Sequence, residues 1–267
     1  MQQSVFQQAK HCLQLCAPAD KVKQTRQFAE HWRQGKFDCI STDQPDVIGD
    51  AGRPEKPELV QPKQLAKRSI SSEQGRVILA HALAHIEFNA INLALDAVYR
   101  FRDMPKQFYA DWIKVADEEA YHFGLLNKYI QDRGYAYGDY TAHNGLWEMA
   151  QKTAHDVMIR MALVPRVLEA RGLDVTPGLI EKLNQFKDKD FIDALEIIHR
   201  DEIGHVAIGS HWFKFICEQR KLDSRSTFKE LIQQYMNGSL RGPFDEVVRL
   251  QAGFTEQELA DLNAMEL

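Results

Sequence analysis

The sequence predicts an all-α protein built around four long helices. Apolar residues recur at intervals of three and four along most of the chain, strict alternation over the length of a strand is almost absent, and four segments suit helices of about 25 to 30 residues. The 267 residues are 44% hydrophobic and 27% charged, as in ordinary globular proteins. This composition excludes a disordered, collagen-like or disulfide-stapled chain.

The first quarter of the chain is predicted to form two short helices and an extended strap. The helices span about 3–16 and 19–34, and the strap runs from about 36 to 70. The strap contains four prolines and few residues suited to a core. Because proline removes a backbone donor and disfavours helix in the residue before it, we expect this segment to lie extended over the domain.

Start and stop signals divide the rest into long helices with short elements between them. Ser71 or Ser72 caps the first long helix, Pro105 suits the first turn of the second, and Gly172 ends the third. The motif Thr176-Pro177 predicts an additional short helix to about 187. The long helices span about 72–100, 105–132, 145–171 and 189–220, followed by a helix near 226–236 and another opened by a capping box of Thr255 and Glu258.

We expect a single domain, with N-terminal helices and strap at 1–70, a four-helix bundle core at 71–221 and a C-terminal helical extension at 222–267. The short turn after the first long helix makes the first two antiparallel. The next connection, residues 131–144, reaches at most roughly 46 Å when extended, whereas a helix of about 28 residues is about 42 Å long. A crossover that keeps the second and third helices parallel just fits, so a ferritin-like topology is allowed but not required.

Charge and cysteine content limit the classes of function. The 38 acidic and 33 basic residues give a net charge of −5 and a pI near 6.1, so no global basic field attracts nucleic acid or an anionic membrane, although a local basic patch stays open. No segment approaches the roughly 20 uncharged apolar residues that cross a bilayer. We therefore expect a cytoplasmic protein without a membrane partner. The four cysteines include no C-x-x-C pair and form no disulfide framework.

Two of the long helices carry the same Glu-x-x-His motif, at Glu119 and His122 and again at Glu202 and His205. Side chains three residues apart project from one face of a helix, so a carboxylate and an imidazole reach the same metal pair. A single glutamate precedes each motif, by 32 residues in one case and 33 in the other. The repeated pattern predicts six ligands for two metal ions: Glu87, Glu119, His122, Glu169, Glu202 and His205.

The position of these residues on their helices matters more than the motif, because Glu-x-x-His occurs by chance in charged helices. Steps of three and four residues from Glu119, Glu202 and Glu87 meet apolar side chains almost throughout. Carboxylates buried on such faces are costly unless cations compensate them. Oxygen and nitrogen ligands suit iron, with manganese as the alternative, better than structural zinc.

The third long helix offers two candidates for its metal ligand. Glu169 is chosen because the two spacings match, and His155 is the main rival. Pro165 removes the helical hydrogen bond to residue 161 and predicts a kink close to the proposed site. His85 lies near Glu87 in sequence and is a less favoured ligand.

Two acidic residues are candidates for a supporting role. Glu118 and Asp201 each stand directly before a ligand glutamate. An acid at this place accepts the second imidazole N–H of the histidine on the opposite motif and so fixes its tautomer. The alternative is that both are solvated helix residues, and the sequence weighs the two interpretations about evenly.

The chain resembles a bacterial family of ferritin-like proteins of unassigned function that is distantly similar to the tRNA-modifying di-iron hydroxylases. The resemblance rests on HALAHIEFNAINLALDAVYRF, DWIKVADEEAYHF, LVPRVLEARGLDVTP and DEIGHVAIGSHWF, and it covers about Arg53 to Leu262. It implies a ferritin-like bundle with a dinuclear metal centre and assigns the same six residues as ligands. It brings no substrate.

Three functions compete on these observations. The first is an O₂-activating di-iron oxidase or hydroxylase, with an unknown small-molecule or RNA substrate and, for an oxygenase, an electron donor. The second is iron or peroxide handling, as in ferritins and rubrerythrins, although the chain lacks a four-cysteine rubredoxin module. The third is a non-catalytic helical binding protein whose acids pair with arginine. The sequence leaves the substrate, the native metal and the oligomeric state open.

Overall fold

A computed structural model describes residues 3–41, 43–66, 69–237 and 240–265. The chain is all-α, as the sequence predicts: within the described residues, β structure is confined to a two-residue parallel pair, β1 (Gln3–Ser4) with β2 (Phe37–Asp38), and one isolated bridge between Leu59 and Ala142. The chain divides into two compact units. Unit 1 comprises Met1–Gln151 and Phe186–Ala194, and unit 2 comprises Lys152–Gln185 and Leu195–Leu267.

Unit 1 is built on two long neighbouring helices joined by a short turn. Ser72 caps the first of them by accepting a hydrogen bond from the Gly75 backbone N–H. The two shorter N-terminal helices pack one on each member of this pair. The helices of the unit are α1 (Val5–Gln14), α2 (Pro18–Arg33), α3 (Glu73–Arg100), α4 (Lys106–Gln131) and α5 (Gly145–Lys152).

Within its described residues the predicted strap is irregular or extended apart from a 3₁₀ helix at Pro62–Gln64, and hydrogen bonds tie it to the helices of unit 1. The Trp147 indole N–H of α5 donates to Gly49 O at 2.8 Å, and the Tyr99 hydroxyl of α3 accepts from the Asp46 backbone N–H at 2.8 Å. Lys21 of α2 is fully buried and donates to Cys12 O and Leu13 O at the end of α1. These contacts satisfy backbone groups of the strap and two carbonyls in the last turn of α1, where no helical N–H follows to bond them.

Helix α3 is the one helix in the described residues that is long and apolar enough to cross a membrane. Its most apolar window is 78% buried inside the protein. A core helix passes the same test of length and composition, so this is weak evidence for a membrane span.

Unit 2 contains the largest departure from the predicted helices. The third long helix was expected to be continuous over 145–171 and to end at Gly172, and this prediction is wrong. Helix α5 ends at Lys152, and Asp156 caps a new helix by accepting from the Met158 backbone N–H. That helix passes through a π-helical turn and continues across Gly172 and Pro177. The elements are α6 (Val157–Leu163), the π-turn (Val164–Glu169) and α7 (Ala170–Asn184).

Pro165 accounts for the π-turn. Proline has no backbone N–H and its ring clashes with the preceding helical turn, so the wider π geometry accommodates it without ending the helix. The predicted kink is therefore a π-turn. Gly172 costs a helix only about 1 kcal/mol, which is too little to stop it, and no separate helix begins at Thr176-Pro177. The other helices of unit 2 are α8 (Lys189–Gln219, which begins in unit 1), α9 (Ser224–Tyr235), α10 (Glu246–Gln251) and α11 (Glu256–Ala264).

One buried ion pair and one close glycine contact hold the π-turn in unit 2. The Arg166 guanidinium donates to Glu258 Oε1 at 2.6 Å, and both side chains are at most 2% exposed. Phe228 and two further phenylalanine rings surround this guanidinium, with the Phe228 ring centroid 4.1 Å away. A Cβ on Gly209 of α8 would lie 2.2 Å from Pro165 Cγ, so only glycine lets the proline ring pack there.

Candidate metal centre

Unit 1 brings three of the predicted ligands together in its interior. Glu87 of α3 is 4% exposed, and Glu119 and His122 of α4 are fully buried. One ligand atom from each lies within 4.8 Å of the other two. His122 Nδ1 is 3.4 Å from Glu87 Oε2 and 3.4 Å from Glu119 Oε2. This buried cluster could hold a metal ion.

The helical pattern explains why these side chains point inward. Glu119 and His122 are three residues apart and share a face of α4 with buried apolar residues one and two turns away, including Trp112, Val115 and Leu126. Around Glu87, Ala84 and Ile91 are buried in the same way. The apolar stripes that bury α3 and α4 against each other therefore carry the polar residues into the core.

The buried carboxylates of the cluster favour the binding of a cation. Burial and the neighbouring Glu119 carboxylate raise the pKa of Glu87 well above its ordinary value. Burial lowers the pKa of His122, but the two adjacent carboxylates outweigh burial and raise it to about 11. Glu87 Oε2 is buried and makes no hydrogen bond of normal geometry within the described part of the chain. A divalent cation would replace the protons that otherwise compensate these carboxylates.

Unit 2 contains the other three predicted ligands. On α8, His205 is fully buried and its Nδ1 lies 3.6 Å from Oε1 of Glu202, whose side chain is 12% exposed. Glu169 is the last residue of the π-turn and is partly exposed. The assignment of all six residues to one dinuclear centre stays a prediction.

The two alternative ligands occupy different settings. His85 Nδ1 lies 2.8 Å from the Tyr137 hydroxyl and its Nε2 lies 3.2 Å from His143 O, so both ring nitrogens take part in hydrogen bonds. Burial lowers the pKa of His85 to about 4. His155 is exposed in the turn between α5 and α6. Neither setting favours metal ligation.

Glu118 and Asp201 both form ion pairs with basic neighbours. Glu118 Oε2 accepts from Lys114 Nζ at 2.7 Å, and Asp201 Oδ1 accepts from Arg200 Nε at 2.9 Å. Their side chains are 29% and 17% exposed. Their role in orienting the histidines stays a prediction.

Sequence reasoning missed the residues that fix the π-turn. The capping box of Thr255 and Glu258 is confirmed, but its glutamate has a second partner in Arg166, which no local pattern indicates. Gly209 lies on a predicted stripe, yet its contact with Pro165 depends on tertiary packing. The only signal in the sequence was the proline inside an otherwise helical segment.

The fold and the cluster define the class: an all-α protein with buried glutamates and histidines suited to metal binding. Residues 14–260 match the model of a family described as a protein of unknown function (DUF455), and the chain belongs to this family. It is also 46% identical over 264 residues, 95% of this chain and 92% of the relative, to an uncharacterised protein of Haemophilus influenzae. No solved structure matches. The distant similarity to di-iron hydroxylases stays a prediction.

Proposed function

We propose that the protein is a dinuclear non-haem metal protein, with iron as the native metal, that acts as a cytoplasmic O₂-activating oxidase or hydroxylase. The observation that supports it best is the buried cluster of Glu87, Glu119 and His122. Two carboxylates and an imidazole in an apolar interior are unfavourable without compensation, and metal coordination supplies it.

The donor set favours iron or manganese. In the proposal, Glu169, Glu202 and His205 complete the set begun by the three residues of unit 1. Four carboxylates with two neutral imidazoles match the charge of two divalent cations, and all donors are oxygen or nitrogen. Structural zinc usually takes four sulfur or nitrogen ligands, which this set does not provide.

The protein would supply ligation, orientation and a dry interior. Two ferrous ions, when bound, would supply two electrons to O₂. Buried side chains next to the cluster, such as Trp112 and Val115, exclude water from it. Reduction of O₂ to water takes four electrons, and hydroxylation of a substrate provides two of them. A hydroxylase therefore needs an electron donor in addition to its small-molecule or RNA substrate.

Metal analysis tests the proposal most directly. Protein prepared without a histidine tag and reconstituted anaerobically with ferrous ion should contain about two iron ions per chain, and Mössbauer spectra should show a coupled pair. Glu119→Gln should lower the iron content, whereas Glu230→Gln, at an exposed position of α9, should not. Near-zero binding of iron and manganese by the unchanged protein would overturn the proposal.

Oxygen consumption separates the proposed activity from the iron-handling alternative. A hydroxylase consumes O₂ in proportion to its organic substrate once reduced, so a screen of metabolites and RNA should reveal a compound that stimulates uptake. Consumption of ferrous ion and peroxide without any organic substrate would instead support iron or peroxide handling.

A further inference from the structure

Glu169 lies at the end of the π-turn, and the geometry of this turn determines where its side chain points. The Ala170 backbone N–H donates to Pro165 O, five residues earlier, which is a π-type hydrogen bond. Each residue of an α-helix rotates the chain by about 100°. A π-turn contains one residue more than an α-helical turn, so it changes the direction of Glu169 by about this angle. Whatever stabilises the π-turn therefore orients Glu169.

Glu258 of α11 holds the turn on one side of Glu169. Arg166, three residues before Glu169, is fully buried and donates through Nη2 to Glu258 Oε1 at 2.6 Å. Its Nε and Nη1 are buried without a hydrogen-bond partner among the described residues. Glu258 is itself fixed, because its Oε2 accepts from the Thr255 backbone N–H at 2.9 Å and from Thr255 Oγ1 at 3.2 Å. The hydrogen bonding of this guanidinium thus depends on one carboxylate.

Arg249 of α10 holds the chain on the other side of Glu169. It donates to both carboxylate oxygens of Asp174 at 2.8 Å and to Ala170 O at 3.4 Å. The side chains of Arg249 and Asp174 are at most 2% exposed. A bidentate pair of this kind fixes orientation as well as distance. Ala170, which directly follows Glu169, is therefore bonded to the π-turn through its N–H and to α10 through its carbonyl.

We propose that Glu258 and Arg249 are positioning residues for Glu169, through which the C-terminal extension sets the geometry of the metal centre. The inference rests on the proposed function, in which Glu169 is a metal ligand. Buried ion pairs are costly because both charges leave water, and they add little to stability compared with apolar packing. A role in orienting one side chain accounts for their placement before and after Glu169.

Anaerobic equilibrium dialysis with ferrous ion tests the proposal on three variants. Glu169→Gln removes the ligand and should weaken iron binding at least 100-fold at one of the two sites. Glu258→Gln removes the charge that pairs with Arg166, and Arg249→Lys keeps a charge but cannot form the bidentate pair. Both should weaken the same site by about 10- to 100-fold, as for other partners of metal ligands. Glu256→Gln, at an exposed position of α11, should bind iron like the unchanged protein.

A double variant and Mössbauer spectra separate positioning from a merely structural role. A structural role would lower the stability but leave the spectrum of bound iron unchanged. In the positioning role, Glu258→Gln and Glu169→Gln show the same spectral change, and the double variant binds iron no more weakly than Glu169→Gln alone. Effects that multiply in the double variant overturn the proposal. A folded Glu258→Gln with the affinity and spectrum of the unchanged protein also overturns it.

Hydrogen exchange on the unchanged protein decides the question where a positioning variant does not fold. Coupling between the metal site and the C-terminal extension is reciprocal. Iron should therefore slow the exchange of backbone amides in α10 and α11, and the same amides should not respond in Glu169→Gln. Binding of iron to the unchanged protein without any change in α10 and α11 overturns the proposal.

The outcomes distinguish this inference from the proposed function. If the unchanged protein binds no iron, both fail. If it binds two iron ions, and Glu169→Gln weakens binding but the positioning variants do not, the proposed function stands and this inference alone fails. Full iron affinity of Glu169→Gln also overturns the inference, because Glu169 would then not be a ligand.

Discussion

Replacing Glu87 by glutamine separates metal binding from folding. In the apo protein burial and the neighbouring Glu119 carboxylate raise the pKa of Glu87, which favours its protonated, neutral form. Glutamine has the same size as this neutral acid, so the stability of the apo protein should change by less than about 1.5 kcal/mol, as for other volume-conserving changes. The metal, in contrast, loses one of the two carboxylates that unit 1 provides.

The expected magnitude follows from the number of ligands lost. At a free metal concentration of about 100 times Kd, binding stabilises the unchanged protein by about 2.7 kcal/mol. Loss of an outer hydrogen-bond partner of a metal ligand already weakens binding by about 10- to 100-fold, and loss of a ligand itself should weaken it at least 100-fold. The same metal concentration then stabilises Glu87→Gln by only about 0.4 kcal/mol.

Anaerobic thermal unfolding with and without ferrous ion measures both quantities. The unchanged protein should gain roughly 5–10 °C on adding iron, and Glu87→Gln about 1 °C. Glu230→Gln removes a carboxylate from the exposed surface of α9 and should behave like the unchanged protein. An iron-dependent gain in Glu87→Gln equal to that of the unchanged protein would refute the reasoning, because Glu87 would then contribute nothing to the site.

Three further predictions follow from particular contacts. Metal binding should release protons and weaken as the pH falls. The reason is that the pKa values of Glu87 and His122 are raised, so both groups must lose a proton to become ligands. A calorimetric binding enthalpy that does not vary with the ionisation enthalpy of the buffer would contradict this. Gly209→Ala should destabilise the protein by about 1–3 kcal/mol in thermal unfolding, since its Cβ would overlap the proline ring of the π-turn. Gly204→Ala in the same helix has open space and should instead stabilise by about 0.5–1 kcal/mol; equal effects would show that the contact is not rigid. Lys21→Met should lower the stability by about 1–3 kcal/mol, because three buried acceptors lose their donor; an unchanged urea midpoint would show that other groups replace the lysine.

The sequence predicted the parts of the molecule that local rules determine. Helical periodicity and a serine cap are properties of neighbouring residues, so α3 was predicted within a residue of its observed bounds. Of the two serines predicted as alternative caps, Ser71 and Ser72, the structure has Ser72. The burial of Glu87, Glu119 and His122 was predicted by the same periodicity, because an apolar stripe identifies the inward face of a helix.

The third long helix could not be predicted in this way. Local rules treat glycine as a stop and proline as a break, and they place helix ends at Gly172 and Pro177, where the chain remains helical. What decides the outcome is tertiary: the buried pair of Arg166 and Glu258 stabilises the π-turn across 92 residues of sequence. A local pattern contains no information about a partner so distant.

Helix α3 shows how the candidate ligand sites can be distinguished from structural polar residues. It buries several polar side chains that form hydrogen bonds within the protein. Asp96 accepts from Arg100 at 2.7 Å, and both ring nitrogens of His85 take part in hydrogen bonds. Glu87 differs from them, because its Oε2 is buried and makes no hydrogen bond of normal geometry within the described residues. Because a buried polar atom without a partner is destabilising, its persistence beside Glu119 and His122 argues for a ligand at this place. The negative charge of the cluster suits a cation. If the cluster were structural, replacing its residues by apolar ones of similar size should raise the stability of the protein without affecting any metal binding.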